Sequence, residues 1–310
     1  MTVAPLRPDA AGFLGYMAET GAPPLAALTA ESARMLMRTN VELADLPPVP
    51  LARIADLALP GPAGALPARL YDRRAARTAS PLVLFFHGGG FAIGDLSTHH
   101  PFCTWFADAV DLPLLAIDYR LAPEHPFPAA PDDAEAAARW AATSPAELGF
   151  TVTGLIPCGD SAGGNLAIVT AQQLGLRAAA VPVLAQWVFY PFVGGGTDWP
   201  SVQRFGNGFF ITAEDMAWFD RQVAAPAEDP RYHCIRGPIP AAPLLMLAAS
   251  HDVLRDPGHA YANRVAAAGT PVRRMEAAGM VHGFVNLRRA LPSAQEDCAD
   301  FVAAARAMLD

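Results

Sequence analysis

The 310 residues are 52% hydrophobic and 17% charged, enough apolar material for one large α/β domain with an added subdomain and too much for a disordered chain. The formal charge of −8 is spread without a basic stripe, and all 22 basic residues are arginine, which argues against nucleic acid as a partner. No apolar run reaches membrane-crossing length, and Met1 to Ala22 lacks the basic segment and apolar stretch of a signal peptide. Cys103, Cys158, Cys234 and Cys298 are scattered, with no Cys-x-x-Cys, and read as reduced structural thiols of a cytoplasmic protein.

In chain order, residues 1–50 form a helical segment. Leu25, Leu28, Met35 and Leu36 recur at helical spacing within Pro23–Asn40, and Thr29-Ala30-Glu31 is a helix start. Leu46-Pro47-Pro48-Val49-Pro50 closes it as a stiff linker. Two extended runs, 52–59 and 66–71, flank the turn Gly61–Gly64 and predict a hairpin at a sheet edge. Pro81–Phe86 is a fully apolar strand that runs into His87-Gly88-Gly89-Gly90-Phe91. Leu112–Asp118 is a strand, Pro131–Thr143 a helix, and Val183–Tyr190 a strand closed by Pro191. Residues 194–240 break the rhythm, with many Gly, Pro and aromatic residues. It resumes with the strand Pro243–Ala249, a helix from Asp256-Pro257-Gly258 to Ala268, the strand Pro271–Glu276 and a helix over Leu291–Leu309. Alternation of this kind predicts a mostly parallel eight-stranded sheet flanked by helices. The core occupies 51–193 and 241–310, and the cap is built from 1–50 and 194–240.

The chemistry centres on Gly159-Asp160-Ser161-Ala162-Gly163-Gly164. An apolar strand, 153–158, leads in, and a helical pattern from Asn165 leads out. A serine at such an apex takes a strained backbone, so its neighbours two places away must lack bulk, which glycine at 159 and 163 satisfies. The arrangement is the nucleophile elbow of an α/β-hydrolase fold. A serine hydroxyl needs a base, and the base needs a third group to orient it. In this architecture the order is Ser, acid, His. His282, in the loop after the last strand, is the base. Asp252, at the end of the preceding strand, is the acid, while Asp256 caps the helix begun by Pro257. His87-Gly88-Gly89-Gly90 stands where donors to a developing oxyanion belong. Gly88, Gly89 and the N–H of Ala162 are the expected donors. The aromatic residues of the insertion imply an apolar pocket, and Phe91, Tyr190, Phe209, Trp218 and Val281 are expected to line it. His99-His100 lacks a partner at ligand spacing, so no metal is expected.

The set His87–Phe91, Asp118-Tyr119-Arg120-Leu121-Ala122-Pro123-Glu124-His125-Pro126-Phe127-Pro128, Gly159–Gly164 and His282-Gly283-Phe284 resembles the bacterial hormone-sensitive-lipase-like esterases, from about residue 50 onward. The resemblance implies a carboxylic ester hydrolase with a two-part cap and a triad of Ser161, Asp252 and His282. It also implies no metal or organic cofactor, and an assembly that is often a homodimer. One departure stands out: where the family usually has Asp-Pro-Leu-Arg-Asp at the acid, Val253 replaces the proline. Short- to medium-chain acyl esters are the expected substrates. The alternatives are a lipase, an amidase or a lactonase on the same triad, and a silent ligand-binding homologue such as the plant hormone receptors of this fold. Those receptors replace the histidine, which is present here.

Overall fold

In the computed structural model residues 3–21, 23–194 and 196–309 are described; Met1, Thr2, Ala22, Gly195 and Asp310, which include parts of both expected cap segments, lie outside the described residues. The N-terminal segment holds two helices, α1 (Pro8–Thr20) and α2 (Ala30–Ala44). Thr29 caps α2, its hydroxyl accepting from the Ser32 N–H at 3.1 Å. The expected helix start at Thr29 is thus where α2 begins, and the stretch before it holds one 3₁₀ turn, Leu25–Ala27.

Strands β1 (Arg53–Gly61) and β2 (Gly64–Asp72) form the expected hairpin. β3 (Ala79–Phe86) follows, then α3 (His100–Val110), a helix that the sequence reading did not separate from its surroundings. The order continues with β4 (Leu114–Ile117), α4 (Ala129–Ala142), β5 (Thr151–Asp160), α5 (Ala162–Leu176) and β6 (Gln186–Phe189). The insertion contributes α6 (Pro200–Phe205) and α7 (Ala213–Val223), and the core closes with β7 (Leu244–His251), α8 (Arg255–Ala267), β8 (Val272–Val281) and α9 (Ala294–Ala307).

The eight strands lie in the order β1-β2-β4-β3-β5-β6-β7-β8, with β1, β2 and β4 paired antiparallel and all later pairs parallel. One face packs on the small side chains of α4 and α5 and on α8. The other face packs on the aromatic side of α3, with Phe102 and Phe106, and on α9. β3 and β5 are buried on both faces, which is why they read as unbroken apolar runs rather than alternating ones.

The N-terminal segment and the insertion rest on smaller clusters. Ala30 and Ala33 of α2 meet Ala92, Trp218 and Phe219, and Phe205 of α6 meets Val253 and Leu254. Arginines pin the N-terminal arm to the core. Arg7 donates to both oxygens of Asp297 at 2.6 and 2.9 Å and to the Ala278 carbonyl at 2.7 Å. Arg34 reaches the carbonyls of Ala92 and Ala122, each at 2.8 Å, and the Glu124 carboxylate. At the end of the arm, Asp45 and Arg288 form a fully buried bidentate pair at 2.8 and 2.9 Å.

Candidate active site

Ser161 stands between β5 and α5 with φ 55° and ψ −117°, a conformation costing about 1–3 kcal/mol that persists only where the surroundings over-determine it. They do so here. The Ser161 N–H donates to the Phe189 carbonyl on the neighbouring strand at 3.0 Å, and the Ser161 carbonyl accepts from Asn165 and Phe192 at 3.1 and 3.0 Å. Below it, a side chain at Gly163 would collide with the Phe86 carbonyl, so α5 can lie this close to β3 only with glycine there.

The base arrives on the far side of the sheet edge. β7 and β8 shift register through a bulge, after which His251 pairs with Val281. That pairing sets the next residue of each strand, Asp252 and His282, side by side. His282 Nδ1 lies 2.7 Å from Asp252 Oδ2, and its Nε2 lies 3.0 Å from Ser161 Oγ. Asp252 is fully buried, and its other oxygen accepts the Leu254 N–H at 2.8 Å. One carboxylate oxygen is thus fixed by backbone, leaving the second to hold the imidazole with its proton on Nδ1 and its lone pair toward serine. Two other histidines of the C-terminal half are placed elsewhere: His251 beneath the rings of Phe205 and Phe209, and His259 on Glu276 at 2.9 Å.

The glycine loop requires a correction. The Gly88 N–H is committed to Asp160 Oδ1 at 2.8 Å and is not free to meet an oxyanion. A side chain at Gly88 would strike the same carboxylate, so this glycine serves close approach to Asp160. Gly89, Gly90 and Ala162 donate their N–H groups to no acceptor among the described residues. Asp160 is buried, and burial opposes its charge. His99 Nε2 at 3.2 Å, the Gly88 N–H and nearby His282 outweigh that and hold its carboxyl below the usual range. His87 is pushed down to about 4, first by burial and next by His99, so it is neutral, with Nδ1 donating to the Gly88 carbonyl at 2.8 Å. The Tyr119 hydroxyl donates to the His87 carbonyl at 2.7 Å, which ties the segment after β4 to the loop. His99 and His100 do not converge: the second meets the Tyr71 hydroxyl at 3.0 Å.

Of the residues expected to line the pocket, Tyr190 lies beside His282 with ring centres 4.5 Å apart and planes tilted by 55°, and Val281 ends β8 immediately before the base. Phe91 turns toward Phe192 and Tyr232. Phe209 lies on His251 and Phe205, and Trp218 lies in the cluster with Ala30 and Ala33. In the first pair it is the next residue that lies beside the base, while both members of the second pair join the cluster with Ala30 and Ala33. Phe210 is the nearest side chain to Gly283, beside the base, and Phe219 packs so closely on Gly90 that any side chain there would collide with its ring. Phe13 of α1 meets Phe210 edge-on at 5.3 Å, bringing the N-terminal segment and the insertion together. Phe13 carried no signal in the sequence, because a single aromatic residue on an exposed amphipathic helix marks no site.

The comparisons agree with this geometry. A family profile described as the alpha/beta hydrolase fold matches residues 83–286. The carboxylic ester hydrolase LipN of Mycobacterium tuberculosis is 41% identical over 245 residues, 76% of this chain and 65% of its own. The ethyl acetate hydrolase of Pseudomonas putida is 35% identical over 94% of this chain and 95% of its own. The chain belongs to the hormone-sensitive-lipase-like α/β-hydrolases. A solved esterase of Pyrobaculum calidifontis superimposes with a TM-score of 0.89 at 32% identity, covering 98% of this chain and 99% of that one. As a hormone-sensitive-lipase-like hydrolase, the protein is an enzyme acting on carboxylic esters, with Ser161, His282 and Asp252 in the linked order that such catalysis needs.

Proposed function

We propose that the enzyme hydrolyses dissolved short- to medium-chain acyl esters. The hydrogen-bonded relay from Asp252 through His282 to Ser161 carries the chemistry. His282 Nε2 takes the Ser161 proton as Oγ attacks the ester carbonyl. It returns that proton to the leaving alcohol, and it then activates water to release the acid from the acyl-enzyme. Asp252 stabilises the imidazolium in both half-reactions. The oxyanion donors are Gly89, Gly90 and Ala162, with Gly90 taking the place first given to Gly88. Their support is the set of unpartnered N–H groups at the mouth of the elbow.

The size limit rests on the cap. Its insertion helices run only from Pro200 to Phe205 and from Ala213 to Val223, and three phenyl rings, from Phe13, Phe210 and Phe219, close over the loops that carry the base and the glycines. Such a roof suits a small apolar acyl group better than a triglyceride at an interface. Tyr190 and Val281, beside the base, are assigned to the pocket wall, together with Phe210 and Phe219. Four unpaired, buried cysteines support a cytoplasmic setting. The assembly carried over from the resemblance is a homodimer, which light scattering tests. Turnover of nitrophenyl esters from acetate to palmitate tests the substrate class: a maximum between about two and eight acyl carbons is expected, and faster turnover of emulsified long-chain triglyceride overturns it.

A further inference from the structure

The loop that carries the triad acid is gripped by the cap. Ser201, the second residue of α6, is buried and touches that loop at two points. Its hydroxyl donates to the Val253 carbonyl at 2.9 Å, and its N–H donates to Asp256 Oδ2 at 2.9 Å. The Asp256 N–H returns to the Ser201 hydroxyl at 3.3 Å. Asp256 therefore does not cap its own helix, as the sequence suggested. It satisfies an orphan N–H in the first turn of α6, a helix of the insertion. Around this clasp, Phe205 of α6 packs on Val253 and Leu254, and Phe205 and Phe209 cover His251. Asp252 is bracketed on both sides by residues whose outward contacts belong to the insertion.

Restraint is needed at this place. On its N-terminal side Asp252 is fixed by the sheet, through the pairing of His251 with Val281. On its C-terminal side the family usually has proline, whose ring fixes φ, but this chain has Val253. A carboxylate that must hold an imidazole within a few tenths of an ångström cannot tolerate a loose following residue.

We propose that Ser201 is a positioning residue for the triad acid. Through its bonds to Val253 and Asp256 the cap insertion holds the acid loop in register with His282. The inference rests on Asp252 being the acid. It concerns the alignment of the relay and not the shape of the pocket, so its loss appears in kcat.

Ser201→Ala removes the hydroxyl from both of its bonds. With a dissolved butyrate ester, kcat should fall about ten-fold while KM stays within about two-fold, the pattern of an interaction felt in the transition state. Adding Val253→Pro should restore most of the lost kcat, since proline stiffens the loop by another route and the Val253 N–H donates no bond among the described residues. A serine that merely docks the cap would raise KM or lower the melting temperature, and proline at 253 would not recover the rate. An S201A variant with unchanged kcat, or a loss that the proline leaves untouched, overturns the proposal. Should S201A prove insoluble, Asp256→Ala opens the other half of the clasp and must show the same loss and the same rescue. Asp252→Asn, run in parallel, separates the two levels. If it keeps full rate, the acid assignment and this inference fall together; if it loses rate while S201A does not, only this inference falls.

Discussion

The elbow and the roof above it are held in different ways. Ser161 is locked by sheet and helix backbone, with its N–H, its carbonyl and the glycine beneath it each committed to a partner. The roof is held by side chains at separate points: Arg7, Arg34 and the Asp45–Arg288 pair for the arm, and Ser201 and Phe205 for the insertion. Backbone networks tolerate strain and keep catalytic atoms in place, whereas side-chain fastenings can differ from one relative to another without disturbing the elbow. Changes at the elbow should therefore abolish chemistry with little effect on folding, and changes in the roof should alter selectivity or stability, apart from Ser201, whose loss should lower kcat.

The largest effect should come from the nucleophile. Ser161→Ala is expected to lose on the order of 10⁶ in turnover with an unchanged thermal melt, and a fluorophosphonate probe should label Ser161 alone in the wild type. Labelling elsewhere, with full activity in the variant, would contradict the relay. Next, Asp252→Asn should cost about 10²–10⁴ in turnover by disturbing the imidazole tautomer. Asp256→Asn keeps an acceptor oxygen for Ser201 and should lose only a few-fold. Reversed sizes in side-by-side assays would exchange their roles.

The arm's far anchor is a test of stability. Arg288→Met leaves Asp45 buried without its partner, at a cost of about 3–5 kcal/mol by chemical denaturation. A loss below about 1 kcal/mol would mean that the pair behaves like a surface bridge. The floor of the glycine loop should respond to pH. His87, held at about 4 in the folded protein, titrates near its ordinary 6.5 when unfolded. The unfolded chain thus binds the extra proton first as pH falls. The stability tied to neutral His87 is complete above about pH 6.5 and is lost toward pH 4, about 3 kcal/mol in all. Urea unfolding across this range should show the decline, and His87→Gln should flatten it; equal slopes in the two proteins would clear His87. The smallest change belongs to the roof. Phe210→Ala should raise the octanoate-to-butyrate ratio of kcat/KM about three- to ten-fold, and an unchanged ratio would remove Phe210 from the pocket wall.

Much of the core was legible because its signals are local. Buried parallel strands read as apolar runs, and an elbow needs its glycines at 159 and 163 whatever surrounds it. The order Ser, acid, His follows from the topology, so Asp252 and His282 could be placed without coordinates. What was not legible depends on partners distant in sequence. Nothing near Gly88 reveals that Asp160 takes its N–H, and nothing near Asp256 reveals Ser201. In the insertion, Phe209 and Phe210 are adjacent and chemically identical. Phe210 has φ 72°, and that local twist sends the two rings to different places. No periodicity predicts such a twist in an irregular loop.

The two arginines that flank α1 bear on how far that helix can move. Arg7 fastens the residue before the helix to α9, and Arg34 fastens the following helix to the loop beyond the glycines. If α1 lifts and takes Phe13 off Phe210, both of its flanks remain tethered. The displaced helix then faces its seat at an effective concentration in the millimolar range, set by the tether and not by the amount of enzyme. Its return to Phe210 would accordingly be a first-order event, as fast in a dilute solution as in a crowded one.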